Sequence, residues 1–218
     1  MKSDEVADYL QQHPEFFEQY ADMLAEIYIP HPHGGRAIPI SERQILTLRE
    51  KSRQLENKLR EIIQFGEEND AISEKMHRIT LALLGVRDLP SALNAVAFNL
   101  REDFAVPHVV LRLWHGNDRA GLPEFAPVSD AAREFAASLA GPHCGSHAAA
   151  DTAGLFGEAG PHLRSFAYVA LRGGGETFGL LALASEDPQR FYPEMGTLYL
   201  TRLGEMAAAA LLRYLDQG

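Results

Sequence analysis

Cysteine is nearly absent from this chain. Its single instance, Cys144, excludes an internal disulfide and a zinc site built on several thiolates. No apolar run approaches the roughly 18–20 residues that a membrane span requires, and the opening Met-Lys-Ser-Asp-Glu-Val has no apolar signal-peptide core. A cytoplasmic protein without a membrane partner is therefore expected. Positive charge is also scarce: 20 Lys and Arg stand against 30 Asp and Glu, a formal net charge of −10. A general nucleic-acid surface needs a local excess of cations to neutralise phosphates, so nucleic acid is an improbable partner. One basic stretch stands out between residues 42 and 60, where Arg43, Arg49, Lys51, Arg53, Lys58 and Arg60 outnumber Glu42, Glu50 and Glu56. Its spacing suits the solvated face of a helix better than a row of phosphate contacts. Catalytic motifs are missing too. There is no Gly-x-Ser-x-Gly elbow and no Walker phosphate loop, and no nucleophile is paired with a base. Neither an enzyme nor a cofactor is expected.

What is present is an ordinary apolar content, 46%, over 218 residues, enough for one sizeable core and an extension. Residues 3–29 read as two short helices. Phe16, Phe17, Tyr20, Met23, Leu24 and Ile27 form a stripe too greasy to remain in water. The Pro-His-Pro-His-Gly-Gly stretch, residues 30–35, breaks that helix. Its His31 and His33 occupy alternate positions of an extended chain and cannot easily share a metal ion. Residues 1–40 are thus expected as a helical arm, a surface for a protein partner or a second copy.

Ser41 is placed to cap a long helix running from Glu42 to about Leu84. Ile45, Leu48, Ser52, Leu55, Leu59 and Ile62 alternate three- and four-residue steps as a heptad seam does. A second three-residue step at Phe65 is a stammer, which overwinds a supercoil locally. The alternation resumes through Asn69, Ile72, Met76, Ile79 and Leu83, with Asn69 as a polar register pin. So narrow a stripe predicts a coiled-coil helix over residues 41–85, paired in parallel in a homodimer. Antiparallel packing against the N-terminal helices of the same chain is the alternative.

Residues 86–218 read as a third unit. A helix starts at Asp88-Leu-Pro90 with Leu89, Leu93, Val96, Leu100 and Phe104 inward, and ends at Pro107. Residues 109–114 form a strand followed by a turn at residues 115–118. Residues 124–128 are a candidate second strand, and residues 130–139 a short helix. Residues 141–161 have no period and read as a mobile covering loop. Residues 165–172 and 177–185 are strands joined by the turn Gly173-Gly-Gly175, and Pro193 opens a last, Ala-rich helix. The order predicts an α+β fold, an antiparallel sheet with helices on one side.

Gly173-Gly-Gly175, then Phe178-Gly-Leu-Leu-Ala-Leu-Ala184, Phe191 and the Ala-rich terminal helix resemble the closing half of a GAF domain, a ligand-sensing and dimerising module. Further N-terminal runs narrow the resemblance: Tyr9-Leu10 with His13-Pro14-Glu15-Phe16-Phe17, the Ile29–Gly35 stretch, residues 42–50, and Glu68-Asn69-Asp70. Together they are similar to the bacterial family catalogued as domain of unknown function 484. That resemblance covers nearly the whole chain and implies a helical arm followed by a GAF-like domain. In GAF domains ligands sit between the sheet and the loops over it, so residues 141–161 would be the cover here.

Two constellations follow as candidate sites. Period-two parity puts Val110, Arg112 and Trp114 on one face of their strand, and Phe166, Tyr168, Ala170 and Arg172 on one face of a neighbour. If those faces coincide, Arg112 and Arg172 offer forked donors to an anionic small molecule between the aromatic walls Trp114 and Tyr168. The plainer alternative makes the aromatics core residues and the arginines strand-end surface groups. In the covering loop, His143, Cys144 and His147 bring two imidazoles and a thiol within five residues. They have the donors for zinc or haem iron but no strong fourth ligand, so no metal site is expected. A redox-sensing Cys144 would require a depressed pKa and exposure. Otherwise these are lid residues. The functional expectation is a non-enzymatic GAF-like sensory or dimerisation protein that binds a small molecule or a protein and signals along its coiled coil. The competing class is a ligand-free adaptor using the fold only to dimerise.

Overall fold

The computed structural model describes residues 2–29, 38–115 and 121–215. His31, His33 and most of the turn expected at residues 115–118 lie outside them. The chain divides into two compact units, Met1–Glu67 and Glu68–Gly218, with the boundary inside one long helix.

The first unit holds α1 (Ser3–Gln12), α2 (Glu15–Gln19) and α3 (Ala21–Glu26). Three helices thus replace the expected two, because Tyr20 departs from helical geometry between α2 and α3. Phe16 stacks on Tyr20 at 4.8 Å between ring centroids and meets Phe17 edge-on at 5.9 Å. β1 (Tyr28–Ile29) and β2 (Ile38–Pro39) form a two-stranded antiparallel ribbon. The long helix α4 spans Ile40–Gly85. It starts one residue before Ser41, so the expected cap falls inside the first turn. Along residues 43–65 every apolar side chain is exposed, Leu55 at 68% and Ile45 at 50%.

In the second unit the same seam changes role. Met76, Ile79 and Leu83 of α4 are buried in a core shared with α5 (Leu89–Glu102) and α7 (Leu198–Leu215). The heptad spacing is therefore continuous, but its last turns belong to the globular core. Tyr199 of α7 also donates its hydroxyl to the Asn69 carbonyl at 3.4 Å. α5 begins where its sequence dictates: the Asp88 carboxylate accepts the Ser91 N–H at 2.7 Å, and Pro90 sits in the first turn, where an N–H would have no partner. α7 begins at Leu198 and not at Pro193, because Gly196 separates a turn closed by the Met195 N–H to Tyr192 carbonyl bond from the helix itself.

The sheet contains β3 (His108–Leu113), β4 (His143–Gly145), β5 (Ser165–Gly173) and β6 (Glu176–Ser185), all antiparallel in the order β3-β6-β5-β4. Gly174 and Gly175, with φ of 60° and 91°, form the two-residue β5–β6 turn, whose twist demands positive φ at both positions. Val109, Leu111, Leu113, Ala167, Val169, Leu171, Leu181 and Leu183 face α4, α5 and α7. Val110, Phe166, Tyr168, Leu180, Ala182 and Ala184 face the opposite way.

That second face corrects the expectation of helices on one side only. It is covered by α6 (Asp130–Ser138) and by a 3-10 segment, Ala153–His162, broken at Gly157. Residues 141–161 thus contain a strand and helical turns, with Thr152 and Phe156 buried, and are not a structureless loop. Isolated short elements of this kind have no periodicity of their own; pairing with β5 and burial of Phe156 supply it. The candidate strand at residues 124–128 is instead a 3-10 turn, Pro123–Phe125, where Pro123 has no N–H to give a ladder. Among the described residues no helix is long and apolar enough to cross a membrane.

Candidate functional site

Register sets where the candidate residues go. Val110 pairs with Ala182 and Tyr168 pairs with the same residue across β6, so the β3 and β5 side chains of that parity do share a face. Trp114, Phe166, Tyr168 and Ala170 all belong to the cluster beneath α6 and the 3-10 segment.

Side chains pack closely on this face. Tyr168 is fully buried. Its hydroxyl shares a 2.7 Å hydrogen bond with the Thr152 hydroxyl and accepts the Ala149 N–H at 3.3 Å. Burial pushes the Tyr168 phenol above its ordinary pKa, because the anion would lose its water; the bonds from Thr152 and Ala149 oppose this less strongly. Phe166 lies parallel to Tyr168 at 6.3 Å, and Phe135 of α6 meets it edge-on at 5.3 Å. Trp114 is half-buried, donating its indole N–H to the Thr177 carbonyl at 2.8 Å, with the Arg133 guanidinium 5.9 Å over its ring.

The two arginines separate. Arg172 follows a bulge between β5 and β6 and turns its guanidinium to the end of α6, donating to the carbonyls of Ala137 at 3.1 Å and Leu139 at 2.5 Å. These are carbonyls the helix itself leaves unpaired, where the dipole also favours a cation. Arg172 borders a cleft of about 430 Å³ with Pro142 and Gly204. Arg112 lies across the sheet in a different cleft of about 400 Å³, together with Arg101 and Glu124. Arg112 is half-buried, and the loss of water there lowers its pKa while the charge of Glu124 acts in the opposite direction.

The lid residues diverge as well. In β4, His143 pairs with Tyr168 and Cys144 with Ala167, so strand alternation sends them to opposite faces. His143 is exposed, its ring 6.4 Å from that of Tyr168. Cys144 is buried in the core on the opposite side of the sheet from Tyr168, and desolvation raises its thiol pKa. That is the reverse of what a redox sensor needs. His147 is exposed beside the Ser146 hydroxyl at 2.9 Å. Among the described residues no three His, Cys, Asp or Glu side chains converge as a metal site would require.

Sequence reading missed Arg101, Glu124 and Thr152. Arg101 had a signal, since it falls at a helical step from Asn94 and Ala97 along α5. Thr152 had none, because the stretch around it has no period.

No curated protein matches the chain. Among solved structures it is similar to the native GAF domain of the potassium sensor histidine kinase KdpD from Escherichia coli, at 16% identity and a TM-score of 0.44, over 66% of this chain and 96% of that one. The family model described as a protein of unknown function, DUF484, matches residues 1–216, and the chain belongs to that family.

Proposed function

We propose that this chain is a non-enzymatic, GAF-like sensory or adaptor protein that works as a homodimer, paired in parallel through residues 45–65 of α4. The observation that carries the reading is the exposed seam. Ile45, Leu48, Leu55, Leu59, Ile62 and Phe65 are each at least half exposed, at steps that fit one another in a second copy. Six large apolar side chains in one stripe are costly in water. Burying them fully would contribute on the order of 1.5–3 kcal/mol each. A second copy of the same helix is the natural occupant, because a heptad stripe is self-complementary and the basic and acidic residues flank it. The arm, with Tyr9, Phe17, Tyr20 and Met23 exposed, is the surface offered to a protein partner.

Light scattering at micromolar concentration should give a mass near twice the chain's 24.1 kDa. Leu55→Asp with Leu59→Asp should give a monomer whose near-ultraviolet circular dichroism is unchanged, since neither side chain touches the buried core. A monomeric wild type sinks the dimer, and loss of tertiary signal in the variant places residues 55–59 in the core.

The ligand-free adaptor reading draws support from the face beneath residues 141–161, where Tyr168, Phe156 and Leu163 are buried in one apolar cluster. Under the sensory reading the small molecule binds elsewhere, with Arg112 kept as its anion contact and Tyr168 and Arg172 assigned to packing and helix capping.

A further inference from the structure

Among the described residues β3 is an edge strand: β6 pairs with one side of it and no strand pairs with the other. Carbonyls two residues apart point to the same side of an antiparallel strand, roughly 7 Å from one another. On the free side Arg101 donates to the Val109 carbonyl at 3.3 Å and Arg112 to the Leu111 carbonyl at 2.9 Å. Both guanidiniums line the cleft of about 400 Å³ between α5 and β3, whose outer wall is Leu122, Pro123 and Glu124. Among the described residues neither guanidinium has a carboxylate within 4.0 Å. The hydrogen bonds of these two cations, Arg112 half-buried and Arg101 exposed, go to neutral carbonyls, and each has further N–H donors to spare. An oxyanion is a much stronger acceptor for such a fork than a peptide carbonyl.

We propose that this cleft binds a small organic oxyanion, a carboxylate or a phosphate monoester with an apolar body. Arg112 and Arg101 hold the oxyanion and Leu93 and Leu122 the body. Glu124, beside Arg112, weakens the binding and so favours ligands with a compact charge held at the arginines. The site lies at the free edge of the sheet, away from the apolar cluster beneath residues 141–161. It names a ligand class for the sensory arm of the proposed function and does not depend on the dimer.

The test is titration of the isotope-labelled full-length chain with benzoate and with phenyl phosphate, following backbone amide shifts. Benzyltrimethylammonium is the cationic control of similar body. Saturable shifts at Asn94, Arg112 and Glu124 are expected with at least one anion, and the tighter of the two identifies the oxyanion. Arg101→Gln and Arg112→Gln should each weaken it at least tenfold, Arg112→Lys less, and Glu124→Gln should tighten it several-fold. No saturable shift with either anion, equal binding of the cation, or affinity unchanged in Arg101→Gln and Arg112→Gln overturns the proposal. Should Arg112→Gln fail to fold, the wild type and Arg101→Gln decide. Repeating the titration on Leu55→Asp/Leu59→Asp separates the two ideas, since binding persists there even if the dimer reading fails.

Discussion

Tyr168 and Cys144 are the two buried acids of the sheet, one under each face, and burial raises the pKa of both. The folded chain therefore holds these protons more tightly than the unfolded chain does. Their contribution to stability is complete below the ordinary thiol value of about 8.5 and declines as pH rises past it, then further past about 10. Urea midpoints should fall between pH 7.5 and pH 10.5, and Cys144→Ala should flatten the first part of that fall. Equal wild-type midpoints at the two pH values contradict the assignment. Tyr168→Phe leaves the Ala149 N–H without its acceptor and the Thr152 hydroxyl with the Ala149 carbonyl alone, and should cost about 1–3 kcal/mol at neutral pH, read from the same unfolding curves. Gly179 is constrained differently. A Cβ there would stand 2.8 Å from the Arg112 carbonyl oxygen and 2.7 Å from a Leu113 methyl. The carbonyl belongs to the paired strand and cannot move aside cheaply, so Gly179→Ala should destabilise by roughly 1–3 kcal/mol.

Among elements, α6 depends most on outside help. It is nine residues long, with Ser129 accepting the Ala132 N–H at its start and the Arg172 guanidinium on its last carbonyls. A helix so short does not persist in isolation. Removing a charged donor from carbonyls that are otherwise unpaired costs about 1.5–3 kcal/mol. Arg172→Ala should lower stability by that order and accelerate hydrogen exchange in α6 more than in β6. Uniform acceleration would mean that the guanidinium does not specifically hold this helix. The sequence showed α6 and Arg172 separately; their partnership depends on β5 passing beneath the helix end, and no local pattern encodes that.

For the molecule as a whole, the position of the unit boundary matters most. The heptad pattern suggests that the globular part begins at residue 86, whereas the compact unit begins at Glu68. Met76, Ile79 and Leu83 explain the difference, since all are buried against α5 and α7. At about 1.5–3 kcal/mol per buried side chain, losing these three would remove roughly 5–9 kcal/mol, which is comparable to the whole stability of a typical domain. A fragment of residues 68–218 should therefore unfold cooperatively, while one of residues 86–218 should be molten or insoluble. Cooperative unfolding of the shorter fragment would show that α4 only decorates the core.

The sequence by itself determined the helical and strand identities of α4, α5, β3, β5 and β6, the glycine turn between the last two strands, and the shared parity of Val110, Trp114, Phe166 and Tyr168. Each of these follows from a local rule, a period, a cap or a turn geometry that residues a few positions apart are enough to satisfy. Tertiary structure alone decided the rest. It turned the last turns of one seam into core, closed the second face of the sheet with residues 141–161, and parted Arg112 from Arg172 while setting Arg112 beside Arg101. Those outcomes depend on which distant surfaces exclude water from one another, and a side chain's periodicity is the same whether its partner is solvent, its own core or a second copy.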